Sequence, residues 1–247
     1  MLIETFIQQS IMKHRKICTR LSIKKEMGGN MFFWDIHGYK NREEAGHLLA
    51  ASLDRYADMN GVVLAIPRGG VPIGYIIATS LNFKLDLALS KKIGHPLHKE
   101  YAIGAVSLTD SFVDDNTRVP SEYFEKEISV IRTRLREMYR MYMGANHTPE
   151  ALSGKTVILT DDGLATGHTM LSTLQMVKTH HPNEIIVAVP VASQSSIDLL
   201  SEQVDVVICP LVPDIFKGVG EFYEDFRQLS DEEVVKYIQL YNKTINI

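Results

Sequence analysis

Short apolar runs alternate with amphipathic stretches along most of this chain. Val62, Val63, Leu64, Ala65 and Ile66 form a continuous apolar run after Gly61, the pattern of a strand covered on both faces. Comparable runs lie at 85–89, 157–160, 185–191 and 204–209. Between them the apolar positions recur at helical spacing. Asn41 opens a helix with Glu44 as its capping-box partner, and Ala45, Leu48, Leu49, Ser52, Leu53 and Tyr56 make a stripe expected to lie on the sheet. Further helices are expected over 71–81, 121–143, 170–180 and 195–203, and after a second capping box from Ser230 to Glu233. In the helix over 121–143, Ile128, Ile131, Leu135, Met138 and Tyr142 share one stripe, fit for packing inside the chain or across a homodimer interface. Residues 95–120 break the rhythm, with two short strands at 104–108 and 111–113 among polar turns. Strand and helix in alternation predict a mainly parallel sheet with helices on both faces.

Two of the strand-to-helix loops carry chemistry. The first follows 157–160 and reads Asp161-Asp162-Gly163-Leu164-Ala165-Thr166-Gly167-His168-Thr169. A loop entering a helix N-terminus presents unpaired N–H groups and the positive end of the helix dipole, which suits a phosphate monoester. Gly167 lets the backbone come close, and Thr166 and Thr169 add hydroxyl donors. The adjacent acids would repel a phosphate, so they suit vicinal sugar hydroxyls beside it. The second loop, Pro67-Arg68-Gly69-Gly70, also joins a strand to a helix, and offers a guanidinium fork with two glycines. Lys91 and Lys92 end the next apolar run, followed by Ile93-Gly94.

The acidic loop resembles the phosphoribosyl pyrophosphate (PRPP) motif of the type I phosphoribosyltransferases. Over residues 36–240 the chain is similar to family members with blocks matching Pro67-Arg68-Gly69-Gly70, Lys92-Ile93-Gly94, Ala102-Ile103-Gly104-Ala105-Val106 and Asp161-Asp162-Gly163-Leu164-Ala165-Thr166-Gly167. The resemblance implies a type I phosphoribosyltransferase-like three-layer α/β/α fold, with a mobile hood loop in 95–120 and a C-terminal hood segment. It implies binding of the PRPP 5'-phosphate by Ala165, Thr166, Gly167, His168 and Thr169. Arg68, Gly69, Gly70, Lys91 and Lys92 would hold the pyrophosphate, and Asp161, Asp162, Arg68 and Lys92 would serve catalysis. Mg²⁺ is the implied cofactor, held mainly through PRPP near the two acids rather than by a direct protein site. The second partner is a small nitrogenous acceptor, and Phe216 is the candidate for stacking on a planar base. Where 6-oxopurine enzymes of the family place an aspartate before the Thr-Gly pair, this chain has Ala165, which transfers no proton and argues against hypoxanthine, guanine and xanthine.

Composition narrows the class. Of 247 residues, 30 are acidic and 26 basic, which gives no electrostatic footprint for nucleic acid. Residues 1–30 are the exception, with Lys13, Arg15, Lys16, Arg20, Lys24 and Lys25 against Glu4 and Glu26. They are expected to form a poorly ordered basic extension, with a short basic helix, a transit-like segment, or sequence upstream of a start at Met27 or Met31 as its readings; residues 31–247 form a single domain. Cys18 and Cys209 are the two cysteines, and make neither a disulfide framework nor a zinc motif. No run is long and apolar enough for a membrane span, and a cytoplasmic location is expected. A role in nucleotide salvage would follow from a transferase. Two other readings use the same site: a non-catalytic PRPP sensor or regulator, and a hydrolase or phosphorylase with water or phosphate as acceptor.

Overall fold

The computed structural model describes residues 17–19, 24–27, 30–33 and 38–245. A six-stranded parallel sheet forms the centre, built from β1 (Ile17–Thr19), β4 (Gly61–Ala65), β5 (Lys84–Leu87), β9 (Thr156–Thr160), β10 (Glu184–Ala188) and β11 (Val206–Ile208). Its order is β1-β11-β10-β9-β4-β5. The strands β2 (Lys24–Met27) and β3 (Asn30–Phe33) form an antiparallel pair. The rest of the basic segment 1–30 lies outside the described residues.

Alternation along the runs divides the core. Val63, Ala65, Leu85, Ile158 and Ile186 face one side, while Val62, Leu64, Val157, Leu159 and Val187 face the other. That is why a strand in the middle of this sheet reads as continuously apolar. On the first side lie α2 (Gly70–Leu81), α3 (Ser121–Met143) and α6 (Asp231–Ile245); on the second lie α4 (His168–Lys178) and α5 (Gln194–Ser201). The three-layer α/β/α expectation holds. One element is displaced from its expected place: α1 (Arg42–Ser52) packs chiefly on α2, with Gly46 against Ile73 and Ile76, because α2 already covers the sheet there. The Ser230 box closes in both directions, while at Asn41 the cap forms and Glu44 Oε2 accepts from Lys40 N–H rather than from Asn41. Glu44 N–H donates to Asn41 Oδ1 at 3.0 Å, and Ser230 N–H donates to Glu233 Oε2 at 3.0 Å.

The run at 85–89 does not continue as one strand into the lysines. β5 ends at Leu87, and a separate antiparallel sheet follows, β6 (Ser90–Gly94), β7 (Ala102–Ser107) and β8 (Ser111–Val113). Leu87 and Leu89 are both buried in the core, which hides the change of sheet from an apolar pattern.

Asp86 is 2% exposed and tethers this region. It accepts from the Tyr139 hydroxyl at 2.7 Å, Glu150 N–H at 2.8 Å and Leu87 N–H at 2.7 Å, and burial raises its carboxyl pKa. Asp86→Ala strands these donors and is expected to cost about 3 kcal/mol of stability, read by urea denaturation.

The topology fixes where a ligand can enter. The chain passes from β4 out to the edge strand β5, then returns to β9 on the other side of β4. The order therefore reverses between β4 and β9, and the loops after these two strands open side by side at their carboxyl ends. In open α/β sheets that crevice is the usual ligand site.

Candidate active site

The two loops singled out in the sequence meet at this crevice. Ile66 N–H donates to Thr160 O at 2.9 Å, linking the two strand ends. A Cβ on Gly69 would fall 1.9 Å from Asp162 Oδ2, and one on Gly70 would fall 2.7 Å from Thr160 O. Only glycine permits this approach of the Arg-Gly-Gly loop to the acids. The Pro67–Arg68 peptide is cis.

The acids occupy unlike surroundings. Asp161 Oδ1 accepts from Asp162 N–H at 2.8 Å. Burial, and then the neighbouring Asp162 charge, push the Asp161 carboxyl well above the usual carboxylate range. Asp162 Oδ2 takes both Arg42 Nε at 2.9 Å and Arg42 Nη2 at 2.8 Å. Burial raises the Asp162 carboxyl too, and Arg42 opposes the rise. The Tyr223 hydroxyl donates to Asp162 O at 2.7 Å, and burial followed by the Asp162 charge raises the Tyr223 pKa.

A raised folded pKa carries a sign. The stability associated with protonated Asp161 is fully present below the ordinary carboxylate pKa and is lost as pH rises through the raised value. Asp161→Asn should therefore melt above the wild type at neutral pH, with a gap that narrows as the pH falls toward 4; thermal unfolding across that range checks it.

Residues 164–169 form a cradle. Gly167 has φ +69°, the left-handed conformation that favours glycine, and caps α4. The Ala165 carbonyl accepts from the hydroxyls of Ser193 at 2.8 Å and Ser196 at 2.9 Å, while Leu164 N–H donates to Val191 O at 2.9 Å. The loop is thus tied down by its carbonyls. Among the described residues, no acceptor takes the N–H groups of Thr166, Gly167, His168 or Thr169. Thr166, His168 and Thr169 are exposed and Gly167 is buried, so these unpaired amides lie at a helix N-terminus that reaches the surface.

Arg68 Nη1 stands 3.8 Å from Asp231 Oδ1 at the start of α6, and the same carboxylate oxygen accepts from the Tyr142 hydroxyl. Lys91 and Lys92 are exposed on β6. Adjacent strand residues point to opposite faces, so they do not act as one pair. Ser90 Oγ lies 3.1 Å from Thr173 Oγ1 of α4, which assigns Ser90 and Lys92 to the face toward the cradle helix. Lys91 shares the opposite face with Ile93, which is buried in the cluster that holds Ile131 and Leu135 of α3. Phe216 is half-buried and stacks on Phe222 with centroids 5.5 Å apart. Its segment reaches the acidic loop through Val219, which packs on Gly163.

The fold brings the acids, the cradle and the Arg-Gly-Gly loop to one crevice, with three chain segments beyond the motifs supporting them. The profile of the family described as "Phosphoribosyl transferase domain" matches residues 36–227. The chain belongs to the phosphoribosyl transferase family. It is 32% identical over 206 residues to the protein named "Putative phosphoribosyl transferase Rv0571c" of Mycobacterium tuberculosis, covering 81% of this chain and 46% of that protein. The chain therefore spans about half the length of the curated relatives it matches. The solved structure of TT1426 from Thermus thermophilus superposes with a TM-score of 0.73 at 33% identity, covering 83% of this chain and 99% of that one. This phosphoribosyl transferase domain has no helix among its described residues long and apolar enough to cross a membrane.

Sequence reasoning missed Arg42, Tyr223, Ser193 and Ser196. Arg42 did leave a trace: a cation in the first turn of a helix opposes the helix dipole, and its Asp162 partner relieves that conflict. The serines precede and open a helix, an N-cap signal that gives no hint of the loop they hold.

Proposed function

We propose that this domain transfers the 5-phosphoribosyl group of PRPP to a nitrogen of a small base, releasing pyrophosphate. The observation that carries the reading is the meeting of the Arg-Gly-Gly loop with the paired acids and the amide cradle at one crevice, three sub-sites in the order of the parts of PRPP. The 5'-phosphate takes the unpaired amides and hydroxyls of residues 165–169. The ribose diol takes the carboxylates, and the pyrophosphate takes Arg68, Gly69 and Gly70, with Lys92 from β6; Lys91, expected from the sequence to join them, lies on the opposite face of the strand. Phe216, backed by Phe222, is the ring proposed to stack on the base.

The donor set suits Mg²⁺ in part. Asp161 Oδ2 and Asp162 Oδ1 have no protein donor among the described residues, and carboxylate oxygens are hard ligands. No group of three or more His, Cys, Asp or Glu among those residues makes a full protein cage. The proposed ion is one held by one or two carboxylates together with substrate oxygens and water. When bound, Mg²⁺ supplies charge neutralisation at the pyrophosphate oxygens.

In the transfer, the C1–O bond to pyrophosphate breaks and its electron pair leaves with the pyrophosphate. The acceptor nitrogen forms the new C1–N bond, and its proton passes to solvent or to the leaving group. The residues of this chain contribute position and charge: the cradle fixes the phosphate end, anionic carboxylates favour positive charge on the sugar, and Arg68 stabilises the departing group. Ala165 holds no proton to exchange with a base, consistent with an acceptor other than a 6-oxopurine.

Incubation with Mg²⁺, PRPP and a panel of nitrogenous bases tests the reading. Pyrophosphate release with an equal amount of ribonucleoside monophosphate is expected for one class of base. Pyrophosphate with free ribose 5-phosphate would identify a hydrolase, and binding without turnover a sensor. A location in the cytoplasm, a homodimeric state and a place in nucleotide salvage belong to the same proposal.

A further inference from the structure

Arg42 belongs to none of the motifs, yet it is the residue on which the second carboxylate rests. It is 9% exposed and comes from the first turn of α1. Two of its nitrogens meet Asp162 Oδ2, a third, Nη1, donates to Arg227 O at 3.0 Å, and the guanidinium lies 4.1 Å from the centre of the Phe226 ring. A guanidinium satisfied on three sides is fixed in place, and a carboxylate oxygen holding two of its donors is fixed with it. That oxygen is also the atom against which Gly69 of the Arg-Gly-Gly loop is seated. Asp161 lacks both contacts: its Oδ1 is used by the adjacent amide, and among the described residues no side chain donates a hydrogen bond to it, Arg42 acting on it only through its charge.

We infer that the two acids divide the work, and that Arg42 is a positioning residue for the pyrophosphate end of the donor. Asp161 serves the sugar alone, and Asp162 serves it only through Oδ1. Asp162, held by Arg42, is the rest on which Gly69 lies, so that Arg42 sets the path of the Arg68-Gly69-Gly70 loop without touching the ligand. The C-terminal segment takes part through Arg227 and Phe226, which close the other sides of the guanidinium. The inference rests on the proposed function, since it presumes a diphosphate beside the Arg-Gly-Gly loop.

It predicts a split that a general loss of structure would not give. The full chain is titrated calorimetrically with PRPP in Mg²⁺ and, separately, with ribose 5-phosphate. Arg42→Gln should weaken PRPP binding by about tenfold or more and ribose 5-phosphate by no more than about twofold. Asp162→Asn should weaken PRPP more than ribose 5-phosphate while also losing its own sugar contact through Oδ1, Asp161→Asn should weaken both ligands alike, and adding Arg42→Gln to Asp162→Asn should do no further damage. Arg42→Lys keeps the charge and the stem but not the fork, and should fall between wild type and Arg42→Gln. If Arg42→Gln does not fold, the ligand ratio of Arg42→Lys decides: a ratio shifted against PRPP supports the inference. Equal losses for both ligands, or none, in the folded Arg42 variants overturn it while wild-type binding leaves the proposed function standing. A wild type that binds neither ligand overturns both.

Discussion

Replacing both acids, Asp161→Asn with Asp162→Asn, is expected to weaken PRPP binding by about 100-fold or more, the loss of two charge-assisted contacts at about 1.5 kcal/mol or more each. The expectation follows from placement. Both carboxylates sit at the carboxyl end of β9, where the strand order reverses, and each keeps one oxygen with no protein donor among the described residues. Amide replacements keep the size, so the change is one of charge and hydrogen-bond sense. A hydroxyl that donated to a carboxylate now meets an amide that can turn a donor toward it. The double variant also leaves Arg42 without its partner, which costs stability, so binding is compared at a temperature where both proteins are folded by circular dichroism. Affinity within about twofold of wild type would remove the acids from the sugar site.

Arg68→Ala is expected to have the second largest effect, weakening PRPP by about 30-fold and ribose 5-phosphate by less than about threefold. The Arg68 side chain is one-third exposed, with Asp231 at 3.8 Å as its near neighbour. That is a long, solvent-screened contact, and surface pairs of this kind hold a side chain weakly. A diphosphate competes well for a guanidinium so placed, because it offers more charge and a matching pair of oxygens. Ribose 5-phosphate lacks that group and should not sense the loss. Parallel titrations of the two ligands read the difference directly, and equal losses would count against a pyrophosphate role for Arg68.

The sequence carried more of the layers than of their arrangement. Continuous runs such as Val62 to Ile66 announce a doubly covered strand, and the alternation of Val62 and Leu64 with Val63 and Ala65 between the two cores is what that pattern means. Asn41 and Ser230 announced their helices for a local reason, since a capping box needs only four residues. Strand order is a long-range property. That β9 returns beside β4, bringing Gly69 against Asp162, cannot be read from either loop alone. Arg42 and Asp162 are 120 residues apart, and Ser193 and Ser196 lie about 30 beyond the carbonyl they hold. Such partners leave no periodicity behind. The lysines show the opposite failure: a local pattern was legible, but Leu87 and Leu89 are buried on both sides of the change from the parallel to the antiparallel sheet, so Lys91 and Lys92 looked like the end of a strand they do not belong to.

The crevice between β4 and β9 is proposed to take an activated ribose phosphate. The most direct measurement is calorimetric titration of the wild-type protein with PRPP, with and without Mg²⁺. Saturable binding at one site per chain, tighter when Mg²⁺ is present, is the predicted result. A folded protein that shows no heat of binding to PRPP under either condition would contradict it.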